Sequence, residues 1–332
     1  MPLEIGGIKV EPALALAPME GVTDLVFRRL IRGMGGCGLT VTEFIPAQSL
    51  VNGVPQFLRM AAFDPDEHPI AIQIYGNQPE VLAAAARFAE DKGADILDLN
   101  MGCPSKKVCR NSGGSGLMRD PGRCLEIVRA MRAAVSIPFT VKMRAGWDRE
   151  TLNAPDLAWM CQEEGVDAVT VHWRTREEKY GGERDLSVIA EVVDRVSIPV
   201  LANGDIVDVE TAVATLSETQ VQGLMIGRGA IRNPWVFREI AAHLDGDSYP
   251  AVTMDERERV LLEYYDALRP NFKSEKAALG RMKKIARYFT EGVEGGDGLR
   301  QGLFHSQSID EAYACIADFF EAHRSRERPM PV

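Results

Sequence analysis

The sequence predicts an α/β fold: a (β/α)8 TIM barrel followed by a C-terminal all-α helical-bundle domain. Three observations predict it. Eight short apolar or β-branched runs recur before residue 230, amphipathic helical patterns lie between most of them, and after Met254 only helical periodicity remains. Near-continuous apolar strands suit a parallel sheet buried on both faces. Eight strand–helix units in alternation suit closure into a barrel better than a doubly wound open sheet.

In chain order, strands are expected at Ala13–Ala17, Leu39–Glu43, Ile70–Tyr75, Asp95–Asn100, Phe139–Met143, Ala168–His172, Val200–Asn203 and Gly223–Ile226. Helices are expected at Thr23–Met34, Gln78–Lys92, Arg123–Ala134, Ala154–Glu164, Leu186–Arg195 and Val209–Ser217. Thr23 and Asp120 have the chemistry of N-caps, and Pro121 follows Asp120 at the first helical position. Pro46 to Asp66 carries no clean helical pattern and reads as an irregular insertion in the second β–α connection. Tail helices are expected at Met254–Leu268, Lys276–Glu291, Gly298–Phe304 and Ser308–His323, with Leu261, Tyr264, Tyr265 and Leu268 on one face. Tyr249-Pro250 marks a hinge, dividing a barrel domain (1–245) from a helical domain (246–332).

Composition narrows the function. No apolar run approaches a membrane span, and Met1 to Val10 lacks the basic start of a signal peptide, so a cytoplasmic protein is expected. Six cysteines without a CxxC pair read as reduced thiols, with neither a disulfide framework nor a zinc site. The net charge of −10 argues against a polyanionic partner overall but leaves room for a local basic face. Candidates are Arg28-Arg29-Arg32, Lys106-Lys107-Arg110, Arg281-Lys283-Lys284-Arg287 and Arg324-Arg326-Arg328; each alone reads more readily as a solvated surface.

Chemistry in such a barrel gathers at the C-terminal ends of the strands. Those ends carry Pro18-Met19-Glu20-Gly21, Gln73, Asn100 with Cys103, Lys142 with Arg144, His172-Trp173-Arg174-Thr175, Asn203-Gly204-Asp205 and Gly227-Arg228-Gly229. Cys103 follows a buried strand and precedes the Gly-rich segment Asn111–Gly116, which reads as one exposed thiol beside a flexible loop. It suits proton transfer at a ligand's face; the alternative is a small buried hydrophobe. Lys142 could stabilise an anionic flavin ring, form a Schiff base, or pair with a carboxylate. His172 could donate a hydrogen bond or act as a base, or be a satisfied core histidine. The glycines after the last two strands suit a phosphate, with Arg228 adding charge.

Together these segments resemble the tRNA-dihydrouridine synthases. Ala17-Pro18-Met19-Glu20-Gly21-Val22-Thr23-Asp24 is similar to that family's opening signature, and Asp98-Leu99-Asn100-Met101-Gly102-Cys103-Pro104 to its catalytic cysteine motif. Val141–Arg144 and His172–Thr175 resemble its flavin-side motifs, and Ala202–Ile206 and Met225–Ala230 its phosphate end. The resemblance implies an FMN enzyme that reduces specific tRNA uridines to 5,6-dihydrouridine with NADPH. Hydride would pass from flavin N5 to C6, and Cys103 would give the proton to C5, a role suited to a thiol titrating near working pH. Pro18, Met19, Gln73, Lys142 and His172 would contact the flavin, and Asn203, Gly204, Asp205, Gly227 and Arg228 its phosphate end. Asn100, Arg144 and Arg174 would meet the target base. Arg281, Lys283, Lys284 and Arg287, on nearly one helical face, would grip the tRNA in a salt-dependent way. No metal, membrane or stable protein partner is implied, and the chain is expected to be a monomer. Without a GxGxxG fingerprint the nicotinamide is expected to visit the same mouth transiently. One departure stands out: Trp173 occupies a position usually held by glycine, where it would narrow the mouth or offer a base a stacking surface. The alternative to the RNA reading is an FMN barrel acting on a small molecule. A Schiff-base lyase using Lys142 and an RNA-binding module without chemistry are further rivals.

Overall fold

Period-two alternation along the strands sorts their residues between the barrel interior and the helices, and that sorting builds the fold. The computed structural model describes residues 3–110, 112–272, 274–289 and 293–327, without the side chains of 287, 288 and 325–327. The strands are β1 (Leu3–Ile5), β2 (Ile8–Val10), β3 (Leu14–Leu16), β4 (Leu39–Val41), β5 (Ile45–Pro46), β6 (Ile70–Tyr75), β7 (Ile96–Met101), β8 (Phe139–Arg144), β9 (Ala168–His172), β10 (Val200–Asn203) and β11 (Gly223–Ile226). β3, β4 and β6 to β11 are parallel, and the β11–β3 and β4–β6 pairings close the ring as expected. β5 resumes β4 after a break at Thr42–Phe44 and pairs with the far end of β6. Leu97, Leu99, Val141, Met143, Val169 and Val171 join the helix-facing core. The alternate positions Asp98, Asn100, Thr140, Lys142, Thr170 and His172 therefore face inward.

The hairpin β1–β2 was not anticipated. Gly6 and Gly7, at φ +53° and +90°, form the two-residue turn that such a hairpin needs. Leu3, Ile5 and Val10 pack on Ala15, Leu39, Ile96, Ala168 and Leu201, sealing the N-terminal end of the barrel.

The helices are α1 (Leu25–Met34), α2 (Ala47–Val51), α3 (Pro55–Met60), α4 (Pro79–Asp91), α5 (Lys106–Arg110), α6 (Pro121–Arg132), α7 (Ala154–Glu163), α8 (Ser187–Arg195), α9 (Val209–Thr219), α10 (Arg228–Arg232), α11 (Val236–Asp245), α12 (Met254–Leu268), α13 (Glu275–Phe289), α14 (Gly296–His305) and α15 (Ile309–Glu327). Asp120 caps α6 with Pro121 behind it, as expected. Thr23 does not cap α1. Asp24 does, accepting from Phe27 N at 3.0 Å, while Thr23 Oγ1 accepts from Met19 N at 2.9 Å and closes the preceding turn. The insertion after β5 is more regular than expected, holding α2, α3 and a 3-10 turn at Pro65–Glu67. Both helices are too short to show an amphipathic period in sequence.

The tail is helical, as expected; Glu291, the anticipated end of its second helix, lies outside the described residues. It docks on the barrel through one continuous apolar core. Phe27 of α1 meets Tyr264 edge-on at 6.1 Å, and Trp235 meets Phe289 at 6.2 Å. Trp235 Nε1 donates to Glu256 Oε1 at 2.9 Å, so the indole's polar edge is satisfied inside that joint.

Candidate active site at the barrel mouth

Asp98 and Asn100, two residues apart on β7, both face the interior beside Gln73 of β6. Gln73 Nε2 donates to Asp98 Oδ2 at 2.5 Å, and Asn100 Nδ2 donates to Gln73 Oε1 at 2.7 Å. Asn100 Oδ1 is then left to accept from Gly102 N at 3.1 Å and Cys103 N at 2.9 Å, which fixes the turn carrying the thiol. Burial pushes the Asp98 carboxyl up to about 6, against bonds from Gln73 and Thr140 and the charge of Lys142.

Cys103 is not the exposed thiol that the sequence suggested: it is 9% exposed. The Gly-rich segment packs onto it as part of a 3-10 helix, Gly114–Arg119. Ser115 donates to Cys103 O from its amide at 3.2 Å and its hydroxyl at 2.8 Å. Gly114 has φ +52°, and a Cβ there would lie 3.0 Å from Cys103 Cβ and 2.9 Å from Val108 Cγ1. Here glycine serves close approach, not flexibility. Burial raises the thiol above its ordinary value, with the Ser105 backbone and the more distant Arg144 charge opposing. The thiol is therefore protonated at neutral pH, not poised near it.

Lys142 Nζ donates to Asn203 Oδ1 at 2.8 Å, and Asn203 Nδ2 donates to Met225 O at 2.7 Å. Its partner is an amide, not a carboxylate. Burial lowers the ammonium to about 7, with Arg144 adding to the effect and Asp98 opposing it. Arg144 ties the loops after β7 and β9 together, donating to Gly102 O at 2.9 Å, Thr175 O at 2.7 Å and Lys179 O at 3.0 Å; burial lowers it to about 10, so it stays a cation. His172 Nδ1 accepts from Arg174 N at 3.1 Å, which places its proton on Nε2. Burial, then the charges of Arg144, Lys142, Arg174 and Arg228, hold this imidazole neutral.

Arg174 grips Asp205 with two nitrogens at 3.0 and 2.6 Å, and Arg228 reaches the same carboxylate at 2.9 Å. Two guanidiniums on one carboxylate leave this corner net positive. Arg228 also lies over Tyr180 at 5.2 Å. Pro18 and Met19 lie in the turn after β3, both half-buried. A Cβ on Gly227 would meet Ala17 Cβ and Met19 Sδ, each at 3.6 Å, so the ends of the paired strands β3 and β11 lie within van der Waals reach of one another.

Trp173 neither narrows the mouth nor offers a stacking face: it is 1% exposed and belongs to the helix-side core. Alternation from the inward-facing His172 turns it outward. Gly204, at φ +118°, makes room, since a Cβ there would lie 2.7 Å from Trp173 Cδ1 and 2.9 Å from His172 Cε1.

The basic residues of α13 do not share one face. Arg281 donates to Gly21 O, to Val22 O at 3.0 Å and to Asp24 Oδ2 at 2.9 Å, clamping the helical region to the turn after β3. Lys284 reaches Gly21 O at 3.3 Å and is otherwise exposed. Lys283 faces the other way and caps α14, donating to Phe304 O at 2.8 Å and Ser306 O at 2.7 Å. The side chain of Arg287 lies outside the described residues.

Sequence reasoning missed two groups at the mouth. Glu43 sits in the β4–β5 break, 8% exposed, accepting from Gly21 N; burial raises its carboxyl. Tyr75 ends β6 beside Phe44, and burial raises its phenol, with the charges of Glu20 and Cys103 adding. The signal for both was present, since each ends a predicted strand.

A family model described as dihydrouridine synthase matches residues 15–324 of this chain. A tRNA-dihydrouridine synthase B of Pseudomonas putida is 39% identical over 324 residues, covering 97% of this chain and 95% of the relative. Its namesake in Pseudomonas syringae pv. tomato is 45% identical over 269 residues, 80% of this chain and 79% of the relative. A probable tRNA-dihydrouridine synthase of Rickettsia bellii is 41% identical over 293 residues, 88% and 89% of the two chains.

Proposed function

The chain belongs to the dihydrouridine synthase family of flavin-dependent oxidoreductases, and from that premise we propose how its own residues carry the reaction. It reduces uridine in tRNA to 5,6-dihydrouridine. We assign FMN as the flavin and NADPH as its reductant. The residues at the mouth fit such a group: Gly227 brings no side chain to the end of β11 beside Met19, and the Arg174–Asp205–Arg228 corner suits an anionic tail.

When bound, the flavin would supply hydride to uracil C6. Cys103 supplies the proton to C5, on the opposite face: its S–H bond breaks, a C–H bond forms, and the thiolate regains a proton from water. Burial keeps that thiol charged with its proton until it is needed. Arg144 lies near enough for its charge to favour the thiolate left behind. Asn100 positions the thiol through the Cys103 amide, and Arg144 positions the same loop through Gly102 O.

Pro18, Met19, Gln73, Lys142 and His172 form the flavin-facing wall; His172 offers a neutral N–H and Lys142 a group able to carry or lose charge near neutrality. Asn203, Gly204, Asp205, Gly227 and Arg228 receive the phosphate. Asn100 and Arg144 border the base, whereas Arg174, bidentate to Asp205, shapes the phosphate end instead. Residues 1–245 act as the catalytic unit, and 246–332 as the RNA grip through Lys284 and Arg287, with Lys283 left to cap α14, in a cytoplasmic monomer. Lys106, Lys107 and Arg110, exposed on α5 directly after the thiol loop, extend the basic surface to the mouth.

The buried Cys103, held by Asn100 at the same mouth as Lys142 and His172, is the observation that carries this reading. The test incubates the FMN-loaded protein and NADPH with unmodified tRNA, and maps dihydrouridine by nucleoside mass spectrometry. Dihydrouridine at defined positions is expected. A yellow protein that oxidises NADPH and reduces small enones but forms no dihydrouridine would overturn it.

A further inference from the structure

The turn that carries Cys103 is the last link of a hydrogen-bond chain that begins on a carboxylate. The backbone amides of Gly102 and Cys103 can only donate, so the Asn100 atom facing them, at 3.1 and 2.9 Å, is its oxygen. Asn100 Nδ2 then faces Gln73, which must offer Oε1, at 2.7 Å. Gln73 Nε2 in turn meets Asp98 Oδ2 at 2.5 Å, where only an acceptor satisfies it. Two backbone N–H groups thus dictate the orientation of both side-chain amides, and the chain closes because an acceptor stands at position 98. Strand register sets its members side by side, Gln73 opposite Asp98 and Asp98 opposite Thr140, whose hydroxyl donates to the second carboxylate oxygen.

Burial decides where a break in this chain would show. Gln73 is 0% exposed, whereas Gly102 is only half-buried at the mouth. An unpaired donor costs most where no water reaches it. Without an acceptor at position 98, turning both amides over replaces the unpaired N–H of Gln73 by a carbonyl, which tolerates the lack of a partner better. The unpaired donors become the amides of Gly102 and Cys103, which water can serve, and the turn loses the oxygen that holds it. We propose that Asp98 is a positioning residue for Cys103, acting through Gln73 and Asn100 to fix the turn that holds the thiol. This rests on the reading of Cys103 as proton donor. Lys142 does not take Asp98 as its bonded partner, because its ammonium donates to Asn203. Position 98 therefore supplies an acceptor to Gln73, not a counter-charge to Lys142.

Two variants separate those roles. Asp98→Leu removes the acceptor; Asp98→Asn removes the charge but keeps an oxygen for Gln73, with its Nδ2 turned to Thr140. Amide hydrogen exchange is resolved by residue. The Gly102 and Cys103 amides of Asp98→Leu are expected to exchange at least about tenfold faster than in the parent, with the rest of β7 unchanged and Asp98→Asn like the parent. Dihydrouridine formation by NADPH-reduced protein in a single turnover is expected to fall by a similar factor in Asp98→Leu and to hold in Asp98→Asn. Unchanged protection in Asp98→Leu, or protection lost along the whole strand, overturns the proposal. So does an Asp98→Asn variant as impaired as Asp98→Leu, which would show that the charge matters. If Asp98→Leu does not fold, the parent decides: the Gln73 side-chain amide protons are expected to exchange slowly, and exchange at the rate of a free amide overturns the chain. A parent that forms no dihydrouridine although these amides are protected overturns the proton-donor reading instead, and with it the role of Asp98 in the reaction.

Discussion

Burial at the mouth displaces protons in opposite directions, because it disfavours the charged form of every group. It raises Asp98 and Cys103 and lowers Lys142. For Lys142 the sign is informative in the flavin-free protein. Its folded value is about 7 against an ordinary 10.5, so between those values the unfolded chain binds the extra proton. Stability therefore rises with pH across that window, and the full penalty of the buried ammonium is felt below it. Lys142→Met is predicted to be more stable than the parent at pH 7 and to flatten the rise towards pH 10, read as urea midpoints across the window. Parallel curves for the two proteins would contradict the account. Which residues gather at the mouth was legible, because each ends a predicted strand. How they sit was less so. Cys103 is covered by Gly114 and Ser115, a return of the chain that no local pattern announces. The direction of Trp173, by contrast, was available from alternation along β9 once His172 was placed inward.

Among the elements, α1 depends on a joint that crosses the barrel wall. Arg28 and Glu67 are each 1% exposed and bonded at 2.8 Å, and Arg28 also donates to Thr23 O at 3.1 Å and Ala62 O at 2.7 Å. The same turn holds Met19 through Thr23, so the joint reaches the wall proposed to face the flavin. Glu67→Gln leaves a guanidinium buried without its counter-charge, and is predicted to cost about 3–5 kcal/mol by denaturant unfolding. A cost well below about 1 kcal/mol would show that the joint is not the anchor described. Sequence periodicity located the eight barrel strands and the helices that follow most of them to within a few residues, but not α10 or the ten-residue α11. It missed the β1–β2 hairpin, whose short strands carry no flanking helical pattern to mark them, although the Gly6-Gly7 turn was visible. It also missed that Arg28 and Arg281 are structural, because a charged residue's partner lies far away in sequence: Glu67 for one, the Gly21–Asp24 turn for the other.

At the scale of the molecule, a chain of net charge −10 acts on a polyanion by keeping its cations local. Lys106, Lys107 and Arg110 stand exposed beside the thiol loop, and Lys284 stands exposed beside the turn after β3. Between them lies the mouth, whose proposed chemistry depends on one proton held in reserve on Cys103. The most direct test of that claim compares the parent with Cys103→Ala, each first reduced by NADPH and then mixed with unmodified tRNA. Flavin reduction is predicted to be equal in the two, and dihydrouridine formation to fall by about 100-fold or more in the variant. Dihydrouridine formed by Cys103→Ala at the parental rate would contradict the account.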